Sequence, residues 1–232
     1  MKHTPHTVDI LREHCTSLSR RPFLARGSSA IRCSTCLMAE NACFCLERKA
    51  TTSPINFILL YHRDEIFKPT NSGRLIADLF PEQTQAYLWS RTEPDIKLLD
   101  HISNLQGKVT ILYPETERRT LNKTIIESEK ASFFERRAEH TFIVLDGTWK
   151  QASKMLHQSR WLDSIPTLAI NEASQRTFLV RHSGHDMQFA TAEVVSMLLS
   201  QLELTEQSDQ LLHYYQTFNR QCLKSRKRGN DL

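Results

Sequence analysis

From residue 55 onward, short apolar runs alternate with segments of helical period, and this alternation constrains the fold more than any other feature. Ile55 to Tyr61 reads as a buried strand. Leu75, Ile76, Leu79 and Phe80 then recur at helical spacing, with Asn71 or Ser72 as a candidate N-cap. Thr84 to Trp89 predicts a second strand, and Pro94 to Leu105 a helix with proline in its first turn. Val109 to Tyr113, closed by Pro114, and Phe142 to Leu145 predict further strands. The helix after Leu145 places Trp149, Ala152, Met155 and Leu156 on one face. Thr167 to Ile170 predicts a short strand, Thr191 to Leu204 an amphipathic helix, and Leu211, Leu212, Tyr215, Phe218 and Cys222 a last one. Residues 115–139, with six Arg or Lys, read as a loop or insertion with some helix, and 171–188 as a polar loop. Strands alternating with helices predict an α/β fold, a mainly parallel sheet with helices on both faces. Residues 1–50 differ in character, which predicts a small N-terminal module ahead of a main domain at 51–232.

The chain has 232 residues, enough for one sizeable core, and its 40% hydrophobic and 24% charged residues exclude a disordered protein. No apolar run approaches the roughly 20 residues that span a bilayer. The N-terminus carries His3, His6, Asp9 and Glu13 where a signal peptide needs an apolar core, so the expected location is cytoplasmic, with no membrane partner. A net charge of +4 permits nucleic-acid binding without demanding it. Arg20, Arg21, Arg26 and Arg32 crowd the N-terminal segment, and Lys224, Arg226, Lys227 and Arg228 the end; solvated tails are the plain alternative to RNA contact. The six glycines lie too far apart to build either a dinucleotide-binding or a P-loop fingerprint.

Cys33, Cys36, Cys43 and Cys45 are spaced C-x2-C-x6-C-x-C. Two close pairs joined by a short loop suit the tetrahedron that zinc prefers, and four cysteines leave no open position, so the metal is expected to be structural. Disulfides are the rival, disfavoured where nothing points to export. Cys15 and Cys222 stand apart and read as buried thiols.

Two motifs follow strand ends, where ligands bind in open α/β sheets. Lys68-Pro69-Thr70-Asn71-Ser72-Gly73-Arg74 opens a helix whose free N–H groups and cations suit a phosphate or carboxylate; a helix cap with solvated cations is the alternative. Asp146-Gly147-Thr148-Trp149 places a carboxylate and a glycine where a small-molecule site needs them, and the alternative is again a cap with a core tryptophan.

The four-cysteine loop, K-P-x-N-S-G-R, S-R-T-E-P at 90–94, D-G-T-W at 146–149 and T-A-E at 191–193 occur in that order. Together they resemble the DTW-domain family, the tRNA-uridine aminocarboxypropyltransferases, over residues 20 to 205. The resemblance implies transfer of the 3-amino-3-carboxypropyl group of S-adenosylmethionine to the imide nitrogen of a tRNA uridine in the variable loop, releasing methylthioadenosine. It implies kinship with SPOUT methyltransferases, hence a C-terminal trefoil knot that binds the cofactor. It places Asp146 in catalysis, as base or as ligand of the donor's ammonium. Pro114, Gly147, Thr148, Trp149, Thr191 and Glu193 are implied around the cofactor, and Lys68, Asn71, Arg74 and Arg91 against RNA or the donor carboxylate. Family members often carry cysteine just before T-A-E; Ala190 stands there in this chain. A SPOUT-type RNA methyltransferase and a non-catalytic zinc-containing RNA-binding module are the rival readings. The number of subunits is not readable from the sequence.

Overall fold

The computed structural model describes residues 4–19, 31–114, 139–170 and 189–227. The expected insertion at 115–138, the loop at 171–188 and Arg20, Arg21, Arg26 and Arg228 lie outside the described residues. The elements are α1 (Thr7–Ser17), β1 (Asn56–Tyr61), α2 (Arg74–Leu79), β2 (Thr84–Leu88), α3 (Ile96–Asn104), β3 (Val109–Pro114), β4 (Thr141–Asp146), α4 (Trp149–Gln158), β5 (Thr167–Ile170), α5 (Thr191–Gln201) and α6 (Thr205–Lys227).

Among the described residues the sheet has five strands, all parallel, in the order β2-β1-β4-β3-β5. The expected α/β class and parallel sheet are therefore present, with β1 and β4 central and buried almost throughout. Side chains alternate across the sheet, as the pleat requires. Phe57, Leu59, Tyr61, Phe142 and Val144 join one apolar cluster with residues of α2, α5 and α6, while Ile58, Leu60, Ile143 and Leu145 join another with Leu98 of α3 and Met155 of α4. Both faces are thus covered by helices. Tyr61 and Asp146 are register partners at the C-terminal ends of the two central strands.

The first of these clusters crosses residue 50. Val8, Met38, Ala42 and Phe44 pack in the same core as Phe57, Tyr61 and Leu75. Phe44 lies 5.5 Å from the Tyr214 ring and 5.9 Å from that of Phe218, so the cysteine loop rests on α6.

Three departures from the expected elements have local causes. Helix α1 went unread because it buries only Val8 and Cys15 and starts on an uncommon cap, His6, whose ring accepts the Asp9 N–H at 3.3 Å. Helix α5 stops at Gln201, three residues early, because Glu203 takes a left-handed φ of 59° at the position usually given to glycine. Helix α3 starts two residues after Pro94, with the Asp95 carboxylate accepting the Lys97 N–H at 2.9 Å.

Whether the chain threads the expected trefoil knot depends on residues 115–138 and 171–188, outside the described residues. Among the described residues, no helix is long and apolar enough to cross a membrane.

Candidate functional site

Asp146 ends β4 at the carboxyl edge of the sheet and is 3% exposed. Two segments far away in sequence converge on its carboxylate. The Asn71 side-chain amide donates to Oδ2 at 2.7 Å, and the Thr191 hydroxyl donates to Oδ1 at 2.9 Å. Burial pushes the Asp146 carboxyl up to about 6; the two hydrogen bonds oppose that shift, and the Glu65 carboxylate adds to it. A carboxylate poised there is a far better proton acceptor near neutral pH than an exposed one at about 3.9.

The loop after β1 is shaped around this group. Asn71 is buried, and its Oδ1 accepts the Arg74 N–H at 3.1 Å, so the same side chain caps α2 and holds Asp146. Gly73 sits against the carboxylate so closely that a Cβ there would lie 2.7 Å from Asp146 Cγ and nearer still to Oδ2. Only glycine fits without displacing the aspartate. Ser72 Oγ accepts the Ala192 N–H at 3.4 Å, tying the loop to the start of α5 as well. Glu65 was not singled out from the sequence, Ser72 was read there only as a candidate N-cap, and Gly73 was visible only as a motif letter, because its partner is remote along the chain.

A small apolar cleft of about 50 Å³, open on one side, lies beside this group of hydrogen bonds. Its described walls include Leu112 and Tyr113 of β3, Gly147, Trp149, Phe189 and Thr191. Mostly apolar walls with a few polar groups among them are usual for small-molecule sites. Of the expected cofactor residues, Gly147, Trp149 and Thr191 face the cleft. Pro114 is the last residue of β3. Thr148 is the N-cap of α4, its hydroxyl accepting the Gln151 N–H at 3.3 Å. Glu193 is buried and accepts the Ala190 N–H at 2.7 Å, capping α5. Asp146 reaches the cleft through Thr191, which both lines it and holds the carboxylate.

The expected cationic contacts separate. Arg91 is exposed in the loop after β2, on the same edge of the sheet. Lys68 donates to Glu65 Oε1 at 2.6 Å and is about one-third exposed. Arg74 is buried, with Nη1 donating to the Thr35 carbonyl inside the cysteine loop at 3.2 Å. Its charge is committed to the interior and not to the surface.

Cys33, Cys36, Cys43 and Cys45 bring their four sulfurs within 4.8 Å of one another. Cys33 and Cys45 sulfurs are 3.6 Å apart, and those of Cys36 and Cys43 are 3.8 Å apart. A tetrahedron with Zn–S bonds of about 2.3 Å has edges of about 3.8 Å. The set therefore fits zinc, and all four are free thiols with no disulfide among them. Leu37, at φ 59°, makes the turn after Cys36, its N–H donating to the Cys33 carbonyl at 2.9 Å. Cys15 and Cys222 are buried elsewhere in the core.

A family model described as DTW domain matches residues 30–223 of the chain. No solved structure matches it.

Replacing Asp146 by asparagine keeps the shape and removes the buried charge; its amide oxygen can still accept from Asn71, while its NH2 donates to the Thr191 hydroxyl, which reverses that bond. Because the folded pKa is raised above the ordinary 3.8, the carboxyl's favourable contribution is full below that value and lost as pH rises through about 6. Thermal unfolding should therefore show Asp146→Asn more stable than the natural chain at pH 8, with the advantage vanishing toward pH 4. Elemental analysis should give about one zinc per chain, and Cys33→Ser should lose both the metal and much of the thermal stability.

Proposed function

The chain belongs to the DTW-domain family, and on that premise we propose that it transfers the 3-amino-3-carboxypropyl group of S-adenosylmethionine to a tRNA uridine. Family membership supports a tRNA-related function. The observation that carries the finer reading is the placement of Asp146: a buried carboxylate raised to about 6, one hydrogen bond from an apolar cleft at the carboxyl edge of a parallel sheet.

The cleft would take the adenosine of the donor between the β3 end and Trp149, with the methionine arm directed toward Thr191. The donor sulfonium is already a good leaving group, so the protein mainly holds the γ-methylene carbon in line with the uridine imide nitrogen. Such positioning supplies up to about 7–11 kcal/mol of the barrier. The imide must also lose its proton. Asp146 serves as the acceptor, with the Thr191 hydroxyl as the relay: it takes the imide proton as it passes its own to the carboxylate. The imide nitrogen then bonds to the γ-carbon, the carbon–sulfur bond breaks, and neutral methylthioadenosine leaves. In the alternative role, the Asp146 charge would bind the donor ammonium.

Arg91, exposed on the same edge, is assigned to tRNA phosphate. Asn71 and Gly73 set the Asp146 geometry. Thr148 and Glu193 act through the helices they cap. Zinc would serve as a staple for the N-terminal segment, which packs on α6. A SPOUT-like knotted cofactor site and action in the variable loop belong to the same proposal.

Incubation with unmodified tRNA and S-adenosylmethionine tests this. The expected products are methylthioadenosine and a uridine carrying the whole arm, and Asp146→Asn should lower turnover by about 10²-fold or more while tRNA affinity holds. S-adenosylhomocysteine in its place would identify a methyltransferase, and no donor consumption would leave a non-catalytic RNA-binding module.

A further inference from the structure

Arg74 touches both the cysteine loop and the support of Asp146. Its backbone N–H donates to Asn71 Oδ1 at 3.1 Å, and the Nδ2 of that same Asn71 donates to Asp146 at 2.7 Å. Its side chain runs the other way. Nη1 donates at 3.2 Å to the carbonyl of Thr35, which lies between Cys33 and Cys36, and the guanidinium carbon sits 5.3 Å above the Phe44 ring, between Cys43 and Cys45. The guanidinium is thus clamped between the two cysteine pairs.

The rest of its surroundings make this cation hard to replace. Among the described residues, Nε and Nη2 of Arg74 are buried without a hydrogen-bond partner. Its neighbour on α2, Asp78, is already engaged by His6 at 3.0 Å, Arg48 at 3.1 Å and Tyr214 at 3.2 Å. A four-thiolate zinc centre carries two net negative charges, and a buried guanidinium beside it compensates them without reaching the metal.

We infer that Arg74 is a positioning residue that fixes the Asp146 carboxylate to the cysteine loop, so that metal retention and the geometry of the site are coupled through α2. The inference rests on the proposed role of Asp146 for its effect on turnover, but not for its effect on the metal. Coupling of this kind is reciprocal. Loosening Arg74 should release the metal faster, and loosening Asn71, which holds the other side of the same residue, should do so too. Gly73 makes the connection stiff, because its lack of a side chain lets the loop lie directly on the carboxylate.

The test uses full-length, zinc-loaded protein and a colorimetric chelator in excess. Arg74→Met keeps the aliphatic stem and removes the charge; Arg74→Lys keeps the charge and loses the fork. Zinc release should accelerate by about tenfold or more in Arg74→Met, less in Arg74→Lys, and measurably in Asn71→Ala, although Asn71 touches no cysteine. In the transferase assay the Arg74 variants should lose kcat while the KM for S-adenosylmethionine stays within about twofold. Folded Arg74 variants that release zinc at the natural rate would overturn the inference. So would faster release with kcat unchanged, or Asn71→Ala holding its metal as the natural chain does. Failure of the natural chain to turn over any tRNA would defeat the proposed reaction instead, and the Asn71→Ala release rate would then decide the coupling alone.

Discussion

A single buried carboxylate holds the functional end of this molecule together. Asp146 accepts from Asn71 in the loop after β1 and from Thr191 at the start of α5, and Gly73 lies directly against it. Removing Asn71 or Thr191 leaves a charged group in the interior with an unmet hydrogen bond, which costs more than the bond contributes when made, and a side chain at residue 73 would push the carboxylate away from both. The interior therefore tolerates the aspartate only while all three segments are in place. This explains why the loop, the strand end and the helix start carry the chain's most distinctive short motifs although they are far apart in sequence. The raised pKa is the energetic trace of that burial, and stability given up at a site of this kind is commonly held for function.

A second buried polar system anchors the N-terminal segment. Asp78 of α2 receives His6, Arg48 and Tyr214, while Asp9 of α1 is paired with Arg12 at 2.8 Å, and Arg12 donates to Thr35 at 3.2 Å. Burial alone would raise the Asp78 carboxyl, but the His6 hydrogen bond and the Arg74 and Arg48 charges hold it below its ordinary value. The network joins α1, the cysteine loop, α2 and α6 into one packed unit. Arg74 belongs to this system through its side chain and to the Asp146 system through its backbone.

The sheet was legible in the sequence because its central strands are buried on both faces and read as unbroken apolar runs. Phe142 to Leu145 is the clearest case, and Asp146 stands out as the charge that ends it. The four cysteines were legible from spacing. Helix α1 was not, since a stripe of two buried residues cannot be told from coil, and Glu203 stops α5 with no glycine to announce it. At the site, residue type misled where burial decides the role. Arg74 reads as a surface cation in a cation-rich motif, yet it is buried against the cysteine loop. Thr148 and Glu193 stand in ligand-like motifs and spend their oxygens on helix caps. That Asn71 and Thr191 both meet Asp146 depends on strand order, which no local pattern encodes.

The claim on which the account turns is that the cleft between the β3 end, Trp149 and Thr191 holds the sulfonium donor. Calorimetric titration of S-adenosylmethionine into the natural chain and into an Ala152→Phe variant, which fills the cleft from α4, tests it most directly. The account predicts saturable binding to the natural chain and a loss of about tenfold or more in affinity for the variant at unchanged thermal stability. Equal affinity in the two proteins would place the donor elsewhere and contradict the account.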